Sequence, residues 1–274
     1  MPFMSRKRTA QCAIMALTIT GTAAALAIDA IVGPPALAQS RTQATIDISI
    51  FFDELAPHGR WVETRRYGYV FLPAEIDEDW RPYTRGRWVN TERYGWYWVS
   101  DEPFGWATYH YGRWGYDPDY GWFWVPGNVW APAWVSWQTS EEYIGWAPLP
   151  PVRQGYAFSA EVGSVSIAVG AWHFVSVREF LEPRLAVHIL PPRRNAEIIR
   201  VVRPAGTVRV VNNIVVNKVI DVRRIERVTG QRVVRHEVDR VDRPARADLQ
   251  GERIRAFTPT LAARRPAERP RDAA

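Results

Sequence analysis

Tryptophan is the residue type that this sequence uses most unusually, and an exposed indole ring can bind a sugar by stacking. The chain contains 14 Trp, all within residues 61–172. A flat indole face suits the C–H face of a sugar ring, whose hydroxyl groups then reach neighbouring polar side chains. The predicted ligand-binding rings recur in register in a sequence repeat: Trp96, Trp98, Trp122 and Trp124. The alternative is that these rings form the hydrophobic core.

Histidine offers the clearest opportunity for acid–base chemistry or ligand binding. His110 stands between two tyrosines, and the equivalent residue one repeat earlier is Thr84, so the repeat itself does not require histidine. We therefore include His110 among the candidate ligand-binding residues. A histidine hydrogen-bonded within a sheet is the alternative interpretation. The other histidines lack metal-ligand spacing, so no metal site is predicted: His58, His173, His188 and His236.

Acidic residues occur in four clusters, which could supply the paired carboxylates of a glycoside hydrolase. The clusters are Asp77–Asp79, Asp101 with Glu102, Asp117 with Asp119, and Glu141 with Glu142. Each lies in a predicted connection between strands, where solvated turns account for it. The sequence contains neither a glycine-rich phosphate loop nor a nucleophile elbow. We therefore predict no catalytic residue and no cofactor, and a hydrolase is the less favoured alternative.

The first 38 residues have the pattern of a cleaved export signal. Basic Arg6–Arg8 precedes a mostly apolar stretch, Cys12–Ile31, and Ala36–Ala38 has the small-x-small form of a cleavage site. An uncleaved membrane anchor is the alternative. Cleavage would remove the only cysteine, so the mature chain would have no disulfide and no thiolate. The sequence thus predicts a periplasmic or secreted protein.

Charge is distributed unevenly along the chain. Residues 39–154 contain 10 Arg and 15 Asp or Glu, whereas residues 193–274 contain 20 Lys or Arg and 10 Asp or Glu. The basic end could be attracted weakly to anionic lipid headgroups, lipopolysaccharide or acidic glycans. A solvated tail is the alternative. Nucleic acid is not an expected partner, because export would separate the protein from it.

A threefold repeat must position the candidate residues. The segments Gly59–Tyr69, Gly86–Trp96 and Gly112–Trp122 each run from Gly-Arg-Trp to Tyr-Gly-aromatic, and their glycines are 27 and 26 residues apart. Each unit is typical of a β-hairpin whose return strand carries a row of aromatic side chains on one face. The rows are Tyr67, Tyr69 and Phe71; Tyr94, Trp96 and Trp98; and Tyr120, Trp122 and Trp124. Trp106–Trp114 is predicted as a long strand that contains His110.

These elements predict a mainly β fold. Residues 50–151 are predicted to form one antiparallel meander of hairpin repeats, open or barrel-like, after a linker at 39–49. A β-rich extension follows at 152–241, with a short helix near 221–229 that Asp221 caps and Gly230 stops. The composition of 242–274 favours a disordered basic tail.

The motifs of the repeat region resemble a family of uncharacterised exported bacterial proteins that are rich in Trp. The resemblance rests on Tyr-Gly-Trp-Tyr-Trp-Val at Tyr94–Val99, Gly-Trp-Ala-Thr-Tyr-His-Tyr-Gly-Arg-Trp at Gly105–Trp114 and Gly-Trp-Ala-Pro-Leu-Pro-Pro at Gly145–Pro151. It covers Gly59–Pro151, and more loosely Asn212–Gly230. Some members of the family carry a FecR-type domain, and none has an assigned activity. The resemblance implies a bacterial envelope setting and supplies no active site.

Two functional hypotheses follow. The first is a non-catalytic envelope binding module that presents an aromatic surface to a glycan or cell-wall polymer. The second is a structural or protein-interaction scaffold of the envelope whose aromatics lie mostly in the core and which meets an envelope protein, such as one with a proline-rich segment. Solvent exposure of the tryptophans distinguishes the two, and the sequence leaves the oligomeric state open.

Overall fold

The computed structural model describes residues 45–151, 167–211, 214–262, 269–271 and 273. The predicted export signal at 1–38 lies outside the described residues, as do 152–166 and 212–213. Within the described residues β-strands dominate and the helices are short, so the predicted mainly β fold class is confirmed.

The strands and helices follow one another along the chain with short connections. The repeat region and the strand before it contain β1 (Thr45–Ile46), β2 (Gly59–Thr64), β3 (Gly68–Pro73), β4 (Gly86–Thr91), β5 (Gly95–Ser100), β6 (Arg113–Asp117), β7 (Gly121–Val125), β8 (Val135–Thr139) and β9 (Tyr143–Pro148). The rest of the chain contains β10 (His173–Ser176), β11 (Arg203–Thr207), β12 (Arg209–Val211), β13 (Ile214–Val216), β14 (Arg235–Val241), β15 (Asp248–Gln250), β16 (Arg253–Phe257) and β17 (Thr260–Leu261). The α-helices are α1 (Ile50–Leu55), α2 (Gly105–Thr108), α3 (Asn195–Ile198) and α4 (Val222–Thr229).

The three predicted hairpins form, and their strands pair in the same register. The first Trp of each unit lies opposite the last aromatic of its return strand: Trp61 and Phe71, Trp88 and Trp98, Trp114 and Trp124. A fourth hairpin, outside the threefold repeat, forms from β8 and β9 and places Trp137 opposite Trp146. The spacing of the repeat therefore predicted the local structure correctly.

The hairpins do not form one meander, so that prediction was wrong. The first and third hairpins share a sheet of order β2-β3-β7-β6, whereas the second lies in the sheet β15-β16-β14-β4-β5. The fourth hairpin belongs to the sheet β10-β9-β8-β11. Each hairpin satisfies its internal ladder alone, so its sequence does not specify which strand pairs with its outer edge. Distant C-terminal strands fill edges that a meander would have given to neighbouring hairpins.

The predicted long strand Trp106–Trp114 is also wrong in its first half, where the chain forms α2 and a following turn. The backbone N–H of Tyr109 donates to the Gly105 carbonyl, and that of Tyr111 donates to the Ala107 carbonyl. Because a strand sends alternate side chains to opposite faces, it would separate neighbouring aromatics. The helical turn instead allows Trp106, Tyr109 and Tyr111 all to be buried.

Two terminal predictions need correction as well, whereas the short helix is confirmed. The predicted linker contains β1, which pairs in parallel with β17, and the predicted disordered tail contains β15, β16 and β17. Composition concealed an alternating pattern there, in which Ile254 and Ala256 are buried while Arg253 and Arg255 are exposed. Helix α4 begins after Asp221, whose side chain accepts a hydrogen bond from the Arg223 N–H, and ends at Gly230 in the left-handed conformation.

The four hairpins direct one aromatic face each into a shared core. The rings that meet there include Trp61, Phe71, Trp88, Trp98, Trp114, Trp124, Trp137 and Trp146. The glycine that begins each repeat allows this packing. A Cβ at Gly59, Gly86 or Gly112 would lie 2.1–2.4 Å from a carbonyl oxygen of the return strand, and under 3 Å from its last aromatic ring. Close approach of the backbone therefore explains why all three units begin with glycine.

Candidate functional site

The four predicted platform rings do not form an exposed row. All 14 Trp lie within the described residues, and twelve of them are buried. Trp96, Trp98 and Trp124 have no measurable exposure, with 0% of their surface accessible, so the prediction of an exposed row is wrong for these three. Trp122 is half-buried. The predicted alternation of faces holds within the return strands, but the aromatic face is the inner one, because burying the larger apolar surface stabilises the fold more. Tyr67, just before β3, is an exception and packs against Phe123 on the other face of the sheet.

The C-terminal half of the chain covers the second hairpin at Trp96. Its backbone N–H donates to the Asn217 carbonyl (2.8 Å), and its indole N–H donates to the Ile220 carbonyl (2.9 Å). The Phe180 ring packs edge-on against the indole, with ring centroids 4.9 Å apart. Asn217 is itself fully buried and donates its side-chain amide to the Trp96 carbonyl (2.9 Å). Residues far along the chain therefore satisfy the indole N–H of Trp96 and both of its backbone polar groups.

The first tryptophan of each repeat is buried without a hydrogen-bond acceptor for its indole N–H. This applies to Trp61, Trp88 and Trp114 within the described residues. Their neighbours are rings that meet them edge-on, such as Trp80 against Trp114 with centroids 5.4 Å apart. Aromatic faces can accept weak N–H contacts. These indoles thus serve packing and offer no donor to a ligand.

His110, the second part of the predicted site, belongs to the interior. It is 2% exposed, and its Nδ1 lies 2.9 Å from the Ala131 carbonyl oxygen. Its ring lies against Tyr97, with centroids 4.5 Å apart, and stacks on Trp130. Burial lowers the pKa of His110 from 6.5 to about 4, which keeps the ring neutral at neutral pH. The alternative interpretation, a hydrogen-bonded structural histidine, therefore describes it better than a ligand-binding role.

Glu102 is a buried carboxylate that the sequence analysis assigned to a solvated connection. It is 5% exposed; Oε1 accepts from the Trp80 indole N–H (2.5 Å), and Oε2 accepts from the Tyr109 hydroxyl. Burial raises the pKa of Glu102 from 4.5 to about 7, and these hydrogen bonds counteract part of that rise. Its neighbour Asp101 is exposed, so the local sequence contained no signal that would separate the two. Glu102, which follows β5, therefore bonds to Tyr109 just after α2 and to Trp80 in the segment before β4.

The third hairpin is where aromatic rings reach solvent. Tyr116 is 63% exposed and Tyr120 is 50% exposed. Tyr116 lies directly opposite Trp122 in the β6–β7 register, and their rings meet edge-on with centroids 5.5 Å apart. Trp122 also packs against the shared core, which fixes its inner side. We call Tyr116, Tyr120 and Trp122 the tip patch.

Carboxylates accompany the tip patch. Asp119 is exposed and its backbone N–H donates to Oδ1 of Asp117 (2.9 Å), which shapes the turn between the strands. The stretch 114–125 contains these two acidic residues and no Lys or Arg. Carboxylate oxygens accept hydrogen bonds from hydroxyl groups and repel other anions. The surface of the third hairpin therefore suits a neutral, hydroxyl-bearing ligand.

Part of the chain matches a known family model. Residues 52–153 match the model of a family of unknown function (DUF6600). We call this stretch the family-matched region. It spans all four hairpins, including the tip patch, His110 and Glu102, whereas the looser resemblance over 212–230 lies outside it. No curated protein and no solved structure matched the chain.

The described part of the chain shows neither a candidate metal site nor a membrane-spanning helix. There, neither the family-matched region nor the C-terminal half brings together three or more His, Cys, Asp or Glu side chains that could hold a metal ion. The helices in the same residues are too short or too polar to cross a membrane. Among the described residues, the tip patch contains the two most exposed aromatic side chains, Tyr116 and Tyr120, beside one of the predicted ligand-binding rings, Trp122.

Proposed function

We propose that this protein is a non-catalytic binding module of the bacterial cell envelope that engages a neutral glycan through the tip patch. One observation carries the proposal: the aromatic row of the second hairpin is buried throughout, whereas the row of the third hairpin reaches solvent at its turn end, where Tyr120 is exposed. Trp96 has 0% exposure, whereas the equivalent Trp122 is half-buried beside an exposed tyrosine. Exposed aromatic clusters are unusual on a surface that has no partner.

The chemistry of the tip patch supports a sugar ligand. The outer face of Trp122 can receive the C–H face of a sugar ring, and Tyr116 can bound that ring from the side. The carboxylates of Asp117 and Asp119 lie in the connecting turn, where they can accept hydrogen bonds from sugar hydroxyl groups. Because Trp122 packs against the core, little side-chain freedom remains to be lost on binding.

The envelope setting rests on the N-terminal pattern. Basic Arg6–Arg8, the apolar stretch Cys12–Ile31 and the small residues Ala36–Ala38 follow the order of an export signal. An exported protein meets cell-wall polymers at high local concentration. A weak site such as the tip patch can retain a protein there when many copies of the ligand are present.

A sedimentation assay with insoluble peptidoglycan and neutral polysaccharides tests the proposal. The wild type is compared with the double variant Tyr116→Ala/Trp122→Ala and with Tyr67→Ala. Tyr67 is the repeat equivalent of Tyr120 and packs against Phe123 on the opposite face of the sheet, so it is a matched control. Circular dichroism confirms that each variant is folded.

We expect the wild type and Tyr67→Ala to be retained equally and the double variant to lose at least about tenfold in affinity, since stacking on two rings is lost. Retention should persist at high salt, because it does not depend on charge pairing. Failure of every polymer to retain the wild type, or equal retention of the double variant, would reject the glycan proposal.

A protein-interaction scaffold is the second candidate, favoured by the burial of twelve tryptophans. In that case the core aromatics serve stability, and the tip patch meets a protein such as a proline-rich segment, which docks on exposed aromatic rings. Proline-rich peptides in the same assay distinguish the candidates. Retention on an immobilised proline-rich peptide, with no retention on any polysaccharide, would favour the scaffold.

A further inference from the structure

A cleft of about 300 Å³ opens beside the turn of the second hairpin, away from the residues of the tip patch. Its lining joins the end of β4 to the chain around the start of α4 and to the start of β14. The residues that matter for its chemistry are Asn90, Glu92, Lys218, Asp221, Arg223 and Arg235. The volume is at the lower end of the range found for small-molecule sites.

Three exposed cations line this cleft, and none has an ion-pair partner among the described residues. Lys218, Arg223 and Arg235 are exposed, and none forms a salt bridge or a side-chain hydrogen bond with the described residues. They come from three separate segments: the chain before α4, the first turn of α4 and the first residue of β14. Other arginines nearby do have partners, as when Arg253 pairs with Glu237 and Asp239. Unpaired cations that converge on one cleft favour an anionic ligand.

Asn90 supplies an independent observation that points to a ligand. It is only 7% exposed, and its side-chain amide makes no hydrogen bond with the described residues. The adjacent Thr91 is satisfied, because its hydroxyl donates to the Gly95 carbonyl (2.9 Å). The equivalents of Asn90 in the other hairpins are Glu63 and Tyr116, so the hairpin does not require an amide. Because Asn90 lines the cleft, an anion bound there would accept a hydrogen bond from its side-chain N–H.

The two carboxylates of the lining do not cancel the positive charge. Oδ1 of Asp221 accepts from the Arg223 backbone N–H (2.9 Å), so this carboxylate is engaged as the N-cap of α4. The N-terminus of the helix also contributes partial positive charge at this point. Glu92 is exposed in the turn and can turn away into solvent. Three cations therefore face two carboxylates, one of which is engaged by the N-terminus of α4, so the lining keeps a net positive charge.

We propose that this cleft binds an oxyanion, a carboxylate or phosphate group such as an acidic sugar carries. The amide of Asn90 donates an N–H to the anion at the floor, and Lys218, Arg223 and Arg235 neutralise its charge at the rim. The ligand differs in charge from the neutral glycan assigned to the tip patch. The proposal therefore stands or falls independently of the proposed function.

Isothermal titration calorimetry at constant ionic strength tests the proposal, with inorganic phosphate and glucuronate as the two probes and chloride as the reference anion. The test variant is Arg223→Glu/Arg235→Glu. The control is Arg227→Glu/Arg255→Glu, which makes the same charge change on α4 and on the same sheet at exposed residues outside the cleft. Both variants change solvent-exposed side chains, so both should fold.

We expect the wild type and the control to bind at least one probe with equal affinity, and the test variant to bind it at least about tenfold more weakly for each cation reversed. Preference for phosphate or for glucuronate identifies the source of the anion. In the wild type, the side-chain amide NMR signals of Asn90 should shift on addition of that probe. Absence of binding to both probes, equal loss in both variants, or unshifted Asn90 signals would overturn the proposal.

Discussion

The second and third hairpins carry the same motif and the same strand register, yet they end in opposite environments. Trp96 in the second hairpin is completely buried, while its equivalent Trp122 in the third is half-buried at the surface. Asn90 opposite Trp96 is buried, while Tyr116 opposite Trp122 is 63% exposed. The motif thus determines that a hairpin forms and which of its two faces is the more apolar. It does not determine whether a given end of the hairpin is covered.

The strand pairing explains the difference. In the second hairpin, β4 pairs with β14 at its far end, through Asn90 and Thr91, and Asn217 bridges to Gly95 on the other edge. In the third hairpin, β7 pairs with β3 through the single residue pair Phe71 and Trp124, near the core. The turn end of the third hairpin therefore extends past its neighbours. Since no strand among the described residues pairs with this turn end, it is available for binding.

Replacing the equivalent tryptophans should give the largest contrast. We expect Trp96→Ala to lower the free energy of unfolding by about 3–5 kcal/mol, because it leaves a cavity and orphans the carbonyl of Ile220. Trp122→Ala should cost about 1 kcal/mol, because much of that ring is already in water. Urea unfolding followed by circular dichroism measures both values. Equal losses would show that the two hairpins are covered to the same degree.

Two buried groups beside β5, Glu102 and His110, should change the stability of the protein with pH in opposite directions. Burial raises the pKa of Glu102 from 4.5 to about 7, so the folded protein retains a proton that the unfolded chain releases above 4.5. As the pH rises from 4.5 to about 7, the stability of the wild type relative to Glu102→Gln should therefore fall by about 3 kcal/mol. His110, with its pKa lowered from 6.5 to about 4, should have the opposite effect. The stability of the wild type relative to His110→Gln should fall as the pH decreases from 6.5 to 4.

Unfolding midpoints in urea across pH 4–7 check both signs. Asp119→Asn, in the exposed turn of the third hairpin, serves as a control for removing a carboxylate from the surface. A difference between wild type and Glu102→Gln that stays constant across this range would mean that the carboxylate is solvated, contrary to the buried position described above.

The turn glycines of the second and third hairpins have matching backbone conformations but different surroundings. Gly95 and Gly121 have φ values of +80° and +74°, so alanine should cost each about 1–2 kcal/mol in backbone strain. A Cβ at Gly95 would also lie 2.2 Å from the Asn217 carbonyl oxygen, whereas a Cβ at Gly121 would meet nothing within 4 Å. Gly95→Ala should therefore lose about 1–3 kcal/mol more than Gly121→Ala in thermal or urea unfolding. Equal losses would argue that Asn217 does not cover this turn.

The smallest expected effect is the coupling between the two rings of the tip patch. A double-mutant cycle on Tyr116→Ala and Trp122→Ala should give about 0.5–1.5 kcal/mol, as for other edge-to-face aromatic pairs. Equilibrium unfolding of the two single variants and the double variant measures this energy. A coupling near zero would mean that the rings move independently, and the tip patch would then not be preorganised for a ligand.

Several features could be predicted from the sequence because short-range rules control them. The register of each hairpin follows from the spacing between Gly-Arg-Trp and Tyr-Gly, and the alternation of faces follows from strand geometry. The limits of α4 follow from a capping aspartate and a terminal glycine. The site residues could not be predicted in the same way. Glu102 and Asp101 are neighbours with opposite exposure, and Trp96 and Trp122 share a motif.

The sequence by itself determined that aromatic hairpins form and that each has one strongly apolar face. Only the tertiary structure decided which of those faces meets water. Pairing between hairpins and coverage by the C-terminal half depend on contacts between residues far apart in the chain, such as Asn217 with Trp96. The hydrophobic effect stabilises any arrangement that removes apolar surface from water, and it is not directional. A local motif therefore does not specify which residues will pack against it. The exposed tip patch and the cationic cleft are both products of that long-range packing.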